Sequence, residues 1–188
     1  FVSFSVLFSL KSLKRSKLKN IFLAGICLSL AFLSKGFVGL FPLSIFFWHF
    51  IVFKETTIKE MSYRSAQLFL FTITPFILLY LFSPIAIDSI GHYIYKQVYG
   101  SIQNISSLSQ YTPVDSRFFI IRKLVLELLP ALILCLIILY FSIKNKLNVE
   151  LQEKKWALFF ILLALSGVLP VMVSMKQSGF YILTAFPF

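Results

Sequence analysis

Between residues 21 and 53 the chain carries a single charge, Lys35, in 33 positions. A stretch this apolar has to lie in lipid or be buried along its whole length. As one straight α-helix it would measure roughly 50 Å, against a hydrocarbon core of about 30 Å. Two shorter helices that turn at Lys35-Gly36 fit better. Comparable apolar runs recur down the chain and place helices near 1–10, 20–34, 37–53, 67–87, 124–143, 157–174 and 181–188. The chain is 59% hydrophobic and 13% charged, with 23 Phe among its 188 residues. Soluble domains run near half apolar and about a quarter charged, and one core of this size could not hide so much apolar surface. The expected fold class is therefore all-α: a polytopic transmembrane helix bundle with about five complete and two partial membrane helices.

The net charge of +11 falls in short clusters between these runs. That pattern reads as topogenic loop charge, not as a nucleic-acid surface. Lys11, Lys14, Arg15, Lys17 and Lys19 precede the long run, and Lys54, Lys59 and Arg64 follow it. Positive loops stay cytoplasmic, so an even number of crossings is expected between the two clusters. The loop carrying Lys144, Lys146, Lys154 and Lys155 extends the same parity. Lys35, Lys96, Arg117, Arg122, Lys123 and Lys176 are left on the outer side. Trp48 and Trp156 then fall near cytoplasmic helix ends, where interfacial aromatic residues belong. Gly25 and Ser29, four apart, are either a helix-packing face or ordinary small residues of a membrane helix.

The chain opens at Phe1 rather than Met and stops at Phe188 inside an apolar run, so both ends read as cut. Its apolar-then-basic start is the reverse of a signal peptide, and residues 1–10 are expected to be the tail of a membrane helix. The two Cys and two His are widely separated and match no metal spacing.

Three outer features could carry chemistry. Lys35 lies at a hairpin turn, where it is either a snorkelling cation beside a helix-breaking Gly36 or an anion contact. The stretch 174–181 gathers Lys176, Ser174, Ser178 and Tyr181, as a polar turn or a site. Residues 88–123 interleave His92, Tyr93, Tyr95, Lys96, Gln97 and Tyr99 and are expected to form an outer amphipathic segment on the membrane. Cations on the outer face suggest binding of an anion, with phosphate the expected partner.

The stretch Gly25-Ile-Cys-Leu-Ser-Leu-Ala-Phe-Leu-Ser34-Lys35-Gly36-Phe37-Val-Gly-Leu-Phe-Pro42 resembles bacterial aminoarabinose transferases and the related protein O-mannosyltransferase-like enzymes, which are GT-C membrane glycosyltransferases. Ser174-Met-Lys176-Gln-Ser-Gly-Phe-Tyr181, followed by Pro187, is similar to a later block of that family, and His92-Tyr93 resembles the start of its outer amphipathic segment. The resemblance covers most of 25–187. It implies that residues 1–188 are an internal fragment of a single transmembrane glycosyltransferase domain. A sugar would pass from a polyprenyl-phosphate donor to a lipid, protein or glycan acceptor on the non-cytoplasmic face, in the bacterial inner membrane. Lys35, Lys176 and Arg122 would contact the lipid phosphate or line its path. Gly36, His92, Tyr93, Gln97 and Tyr181 would shape the outer cavity. The family's catalytic carboxylate would lie upstream of Phe1. Lys96-Gln97-Val98-Tyr99 stands where some relatives carry an acidic, His and Arg cluster, so the identity of the acceptor and any divalent metal cofactor stay open. A transporter or flippase of lipid-linked saccharides, or a non-catalytic multi-span assembly protein, would share the outer cations.

Overall fold

A computed structural model describes residues 1–14, 18–95, 119–144 and 150–170, and every element among them is a helix. In chain order these are α1 (Val2–Lys14), α2 (Leu18–Lys35), a 3₁₀ segment (Gly36–Ser44), α3 (Ile45–Phe53), α4 (Ile58–Phe82), α5 (Pro84–Ile94), α6 (Phe119–Lys144) and α7 (Leu151–Val168). Two continuous helical segments, Leu18–Phe53 and Ile58–Phe82, are long and apolar enough to cross a membrane.

The first of these segments is folded in two. Gly36 has φ 68°, a left-handed conformation that costs other residues a steric penalty and that commonly ends helices. The chain turns there and returns along α2. A Cβ on Gly39 would come within 2.7 Å of the Ala31 carbonyl oxygen, whereas eight residues of straight helix would separate the two by about 12 Å. The rings of Phe32 and Phe37 meet edge to face across the turn, with centroids 5.2 Å apart. The 18 residues of α2 span about 27 Å, and the 9 residues of 3₁₀ helix plus the 9 of α3 span about 31 Å. Each leg thus matches a hydrocarbon core of about 30 Å. The 3₁₀ geometry lengthens the second leg by several ångströms over an α-helix of the same residues.

Contacts fix the directions of α4 and α7. Phe22 meets Phe71, and Phe32 meets Phe76, so α4 runs parallel to α2. Gly25 and Ser29 form the seam between them. A Cβ on Gly25 would sit 2.5 Å from Phe71 Cβ, and Ser29 Oγ donates to the Thr72 carbonyl at 2.6 Å. Close approach of this kind is what small residues permit between membrane helices. Phe53 stacks at a tilt on Trp156 with centroids 4.7 Å apart, while Ser44 and Ser166 hydroxyls lie 3.1 Å apart and Gly167 packs under Phe41. Helix α7 therefore runs antiparallel to the 3₁₀ segment and α3. The core unites Ala24 and Leu28 of α2, Ile45 and Phe46 of α3, Leu68 of α4, and Phe159 and Leu163 of α7.

Helix boundaries differ from the apolar runs. Helix α4 begins at Ile58 rather than near 67, because Thr57 accepts a hydrogen bond from the Glu60 amide at 3.2 Å and caps it. It ends at Phe82, short of the expected 87, because Pro84 bars the preceding Ser83 from helical geometry and then opens α5. Helices α6 and α7 start at Phe119 and Leu151, before the apolar runs expected at 124 and 157. Of the expected outer segment 88–123, the first residues belong to α5, Arg122 lies in the first turn of α6, and 96–118 lie outside the described residues.

Candidate functional site

The architecture sorts the charges between two ends of the bundle. At one end Arg64, only 9% exposed, donates from Nη1 to the Ser12 carbonyl at 2.7 Å and from Nε and Nη2 to Glu60 Oε1 at 3.1 and 2.7 Å. This clamp ties the C-terminus of α1 to the first turns of α4. The Phe53–Trp156 contact brings the end of α3 and the start of α7 to the same level. Described cations from all three basic clusters of the sequence, among them Lys14, Lys54 and Lys154, therefore gather at one end. Lys35 stands at the other, because α2 carries the chain the full length of the bundle away from them.

Lys35 is the last residue of α2 and is half-buried, with φ −128° and ψ 0°. The partial negative charge of a helix C-terminus favours a cation at this position. Gly36 is buried behind it, and Ser34 Oγ donates to the Ala31 carbonyl at 3.0 Å. Gly39 lets the returning chain lie directly on Ala31. The Lys35 ammonium is thereby carried on a tightly specified turn rather than on a loose loop. It can hold a monoanion or one edge of a phosphate as a point charge.

The other expected site residues divide as follows. His92 is exposed in the last turn of α5, which follows α4 directly after Ser83. Tyr93 belongs to α5, but its side chain lies outside the described residues. Arg122 is exposed in the first turn of α6. Gln97, Lys176 and Tyr181 lie outside the described residues, as do the blocks 96–118 and 171–188. Lys35 and Gly36 are thus brought together as one unit, and His92 and Arg122 are placed on separate helices. Among the described residues no group of three or more His, Cys, Asp or Glu could hold a metal ion.

The sequence reading assigned Arg64 to a topogenic loop and missed its clamp. Two local signals mark it: Thr57 three residues ahead of Glu60, and Glu60 four residues ahead of Arg64. The chain matches no protein-family model, no curated protein and no solved structure. The class that the fold defines is a helical protein with two segments able to cross a membrane.

Proposed function

We propose that this chain is part of a polytopic GT-C-type membrane glycosyltransferase, which passes a sugar from a polyprenyl-phosphate donor to an acceptor on the non-cytoplasmic face. The single observation that carries the reading is the position of Lys35. It sits at the end of the bundle opposite Lys14, Lys54 and Lys154 of the basic loops, at the head of a turn that buries Gly36, within the motif that resembles the family. The basic end is cytoplasmic by the rule that cations are retained there, which makes the Lys35 end the outer one.

In this reading the donor's prenyl chain lies among the helices and its phosphate sits at the level of the turn. Cleavage of the sugar–phosphate bond leaves an extra negative charge on the departing phosphate. A fixed ammonium stabilises that charge more in the transition state than in the bound donor. Arg122 and Lys176 are the further cations assigned to the phosphate or its path. Gly36, His92, Tyr93, Gln97 and Tyr181 are assigned to the cavity wall. The bacterial inner membrane is the proposed location.

The test is sugar transfer by the full-length protein carrying Lys35→Ala, in membranes where its amount and insertion equal those of the unmodified protein. Loss of one preorganised charge contact lowers turnover by about a hundredfold, and Lys35→Arg restores part of it. Undiminished transfer by Lys35→Ala at low donor concentration removes Lys35 from the mechanism. Transport of the lipid-linked sugar without transfer replaces the enzyme reading with a flippase.

A further inference from the structure

Helix α4 is built in two parts. Before Pro75 it is held on more than one side: Arg64 is clamped to Glu60 and to the Ser12 carbonyl, and Leu68 and Thr72 are buried. After Pro75 it stands largely clear of the bundle. Ile77, Leu78, Tyr80, Leu81 and Phe82 are all exposed, Phe82 by 84%. The ring of Phe76, edge to face on Phe32 with centroids 5.3 Å apart, holds this outer part to α2.

The join between the two parts is soft for identifiable reasons. Pro75 has no N–H, so the Phe71 carbonyl lacks its helical donor, and the pyrrolidine ring crowds that carbonyl. The hydroxyls of Thr72 and Thr74 donate back to the Leu68 and Leu70 carbonyls at 2.8 and 3.0 Å, a pattern that bends helices. Helix α2 closes on the same point. A Cβ on Gly25 would lie 2.7 Å from the Phe71 carbonyl carbon, and Ser29 Oγ donates to the Thr72 carbonyl at 2.6 Å. The helix is thus pinned from outside where its own bonding is weakest, and this fixes a pivot.

The height of the pivot gives it a use. Phe76 is level with Phe32, and Lys35 lies three residues beyond Phe32 on the parallel α2. Leu79 therefore stands level with Lys35, and Phe82 about 4.5 Å beyond it, with α5 following after Ser83. We propose that the outer arm of α4, residues 76–82, swings about Pro75 together with α5 and acts as a lid at the mouth of the bundle where Lys35 stands. A change in bend of about 20° moves the far end of this arm, about 10 Å long, by about 4 Å. That the lid serves a bound phosphate rests on the role proposed for Lys35; the motion itself does not.

Spin labels on cysteine pairs in the full-length protein, in lipid nanodiscs and without other reactive cysteines, measure the motion. Leu81→Cys/Leu169→Cys spans the outer arm and the outer end of α7. Tyr63→Cys/Leu158→Cys spans the clamped part of α4 and the inner end of α7, and all four positions are exposed. The outer pair should show distances spread about 4 Å more widely than the inner pair, a comparison that needs no further variant. Pro75→Ala, which restores a donor to the Phe71 carbonyl, should remove the excess. Equal spreads overturn the hinge, and so does an excess that Pro75→Ala leaves unchanged, which would mark a frayed helix end. Closure is read from the rate of thiol labelling at Lys35→Cys. Adding Phe76→Ala, which removes the ring contact with Phe32, should speed that labelling about two- to tenfold, and an unchanged rate overturns the lid. Neither measurement uses a sugar donor, so failure of the lid and failure of sugar transfer are separate outcomes.

Discussion

Two of the helix seams of this bundle are held by opposite means. Between α2 and α4 the backbones nearly touch: Gly25 faces Phe71, and Ser29 reaches across to the Thr72 carbonyl. Between α3 and α7 rings fill the space: Phe159 is fully buried against Phe53, Trp156 and Phe160, and His49 is stacked on Phe53. In lipid the hydrophobic effect gives helices little reason to associate, so packing and hydrogen bonds decide. A seam of small residues gains through backbone proximity, which tolerates no added atom. A seam of large rings gains through dispersion over area, which tolerates no removed atom. One chain thus uses both routes, and their failures have opposite signs of volume change.

The largest test is Phe159→Ala, which empties the centre of the aromatic seam and should cost about 3 to 5 kcal/mol by reversible unfolding in micelles. A loss below about 1 kcal/mol would show that the rings rearrange and that the seam is not close-packed. Next is Gly25→Ala, whose added Cβ would meet Phe71 backbone and Cβ within 3 Å. Overpacking should cost about 1 to 3 kcal/mol in the same assay, and a neutral result would mean that α2 and α4 separate freely. The smallest is Ser29→Ala, which removes one interhelical hydrogen bond and should cost about 0.6 kcal/mol, as such bonds between membrane helices do. An effect larger than that of Gly25→Ala would move the weight of the seam from backbone proximity to hydrogen bonding.

The two ends of the bundle also differ. Lys35 and the basic loops are separated by the length of α2. Labelling of single cysteines placed at Lys35 and at Lys59 in intact cells should find them on opposite faces, and Lys35 and Lys176 on the same face. Lys35 and Lys176 on opposite faces would dissolve the proposed phosphate site.

Much of this was legible in the residues. The isolated charge at Lys35 and the glycine after it marked the turn, because a helix of roughly 50 Å has no place in a core of about 30 Å. The spacing of Gly25 and Ser29 marked a packing face. The helix starts were less legible, because an apolar run reports where lipid begins rather than where helical hydrogen bonding begins. Helix α4 has 25 residues, about 37 Å, which is longer than a hydrocarbon core of about 30 Å, and its polar first turns supply the excess. Lys, Glu and Arg there are good helix formers, and Thr57 supplies the cap. Of the expected outer site, Lys35 and Gly36 share one turn. Lys176 and Tyr181 belong to a block outside the described residues.

By itself the sequence determined that the chain is helical, where it doubles back, and how its cations are distributed along it. These follow from local facts: the length of an apolar run, a glycine, a count of lysines. Only the tertiary structure decided that α4 packs on α2 at Gly25 and Ser29, that α7 packs on α3 through Phe53 and Trp156, and that Arg64 is a clamp. A small residue or a ring on a helix face declares that something packs there. Which partner fits depends on the shapes of both surfaces at once, and no single stretch of sequence contains both.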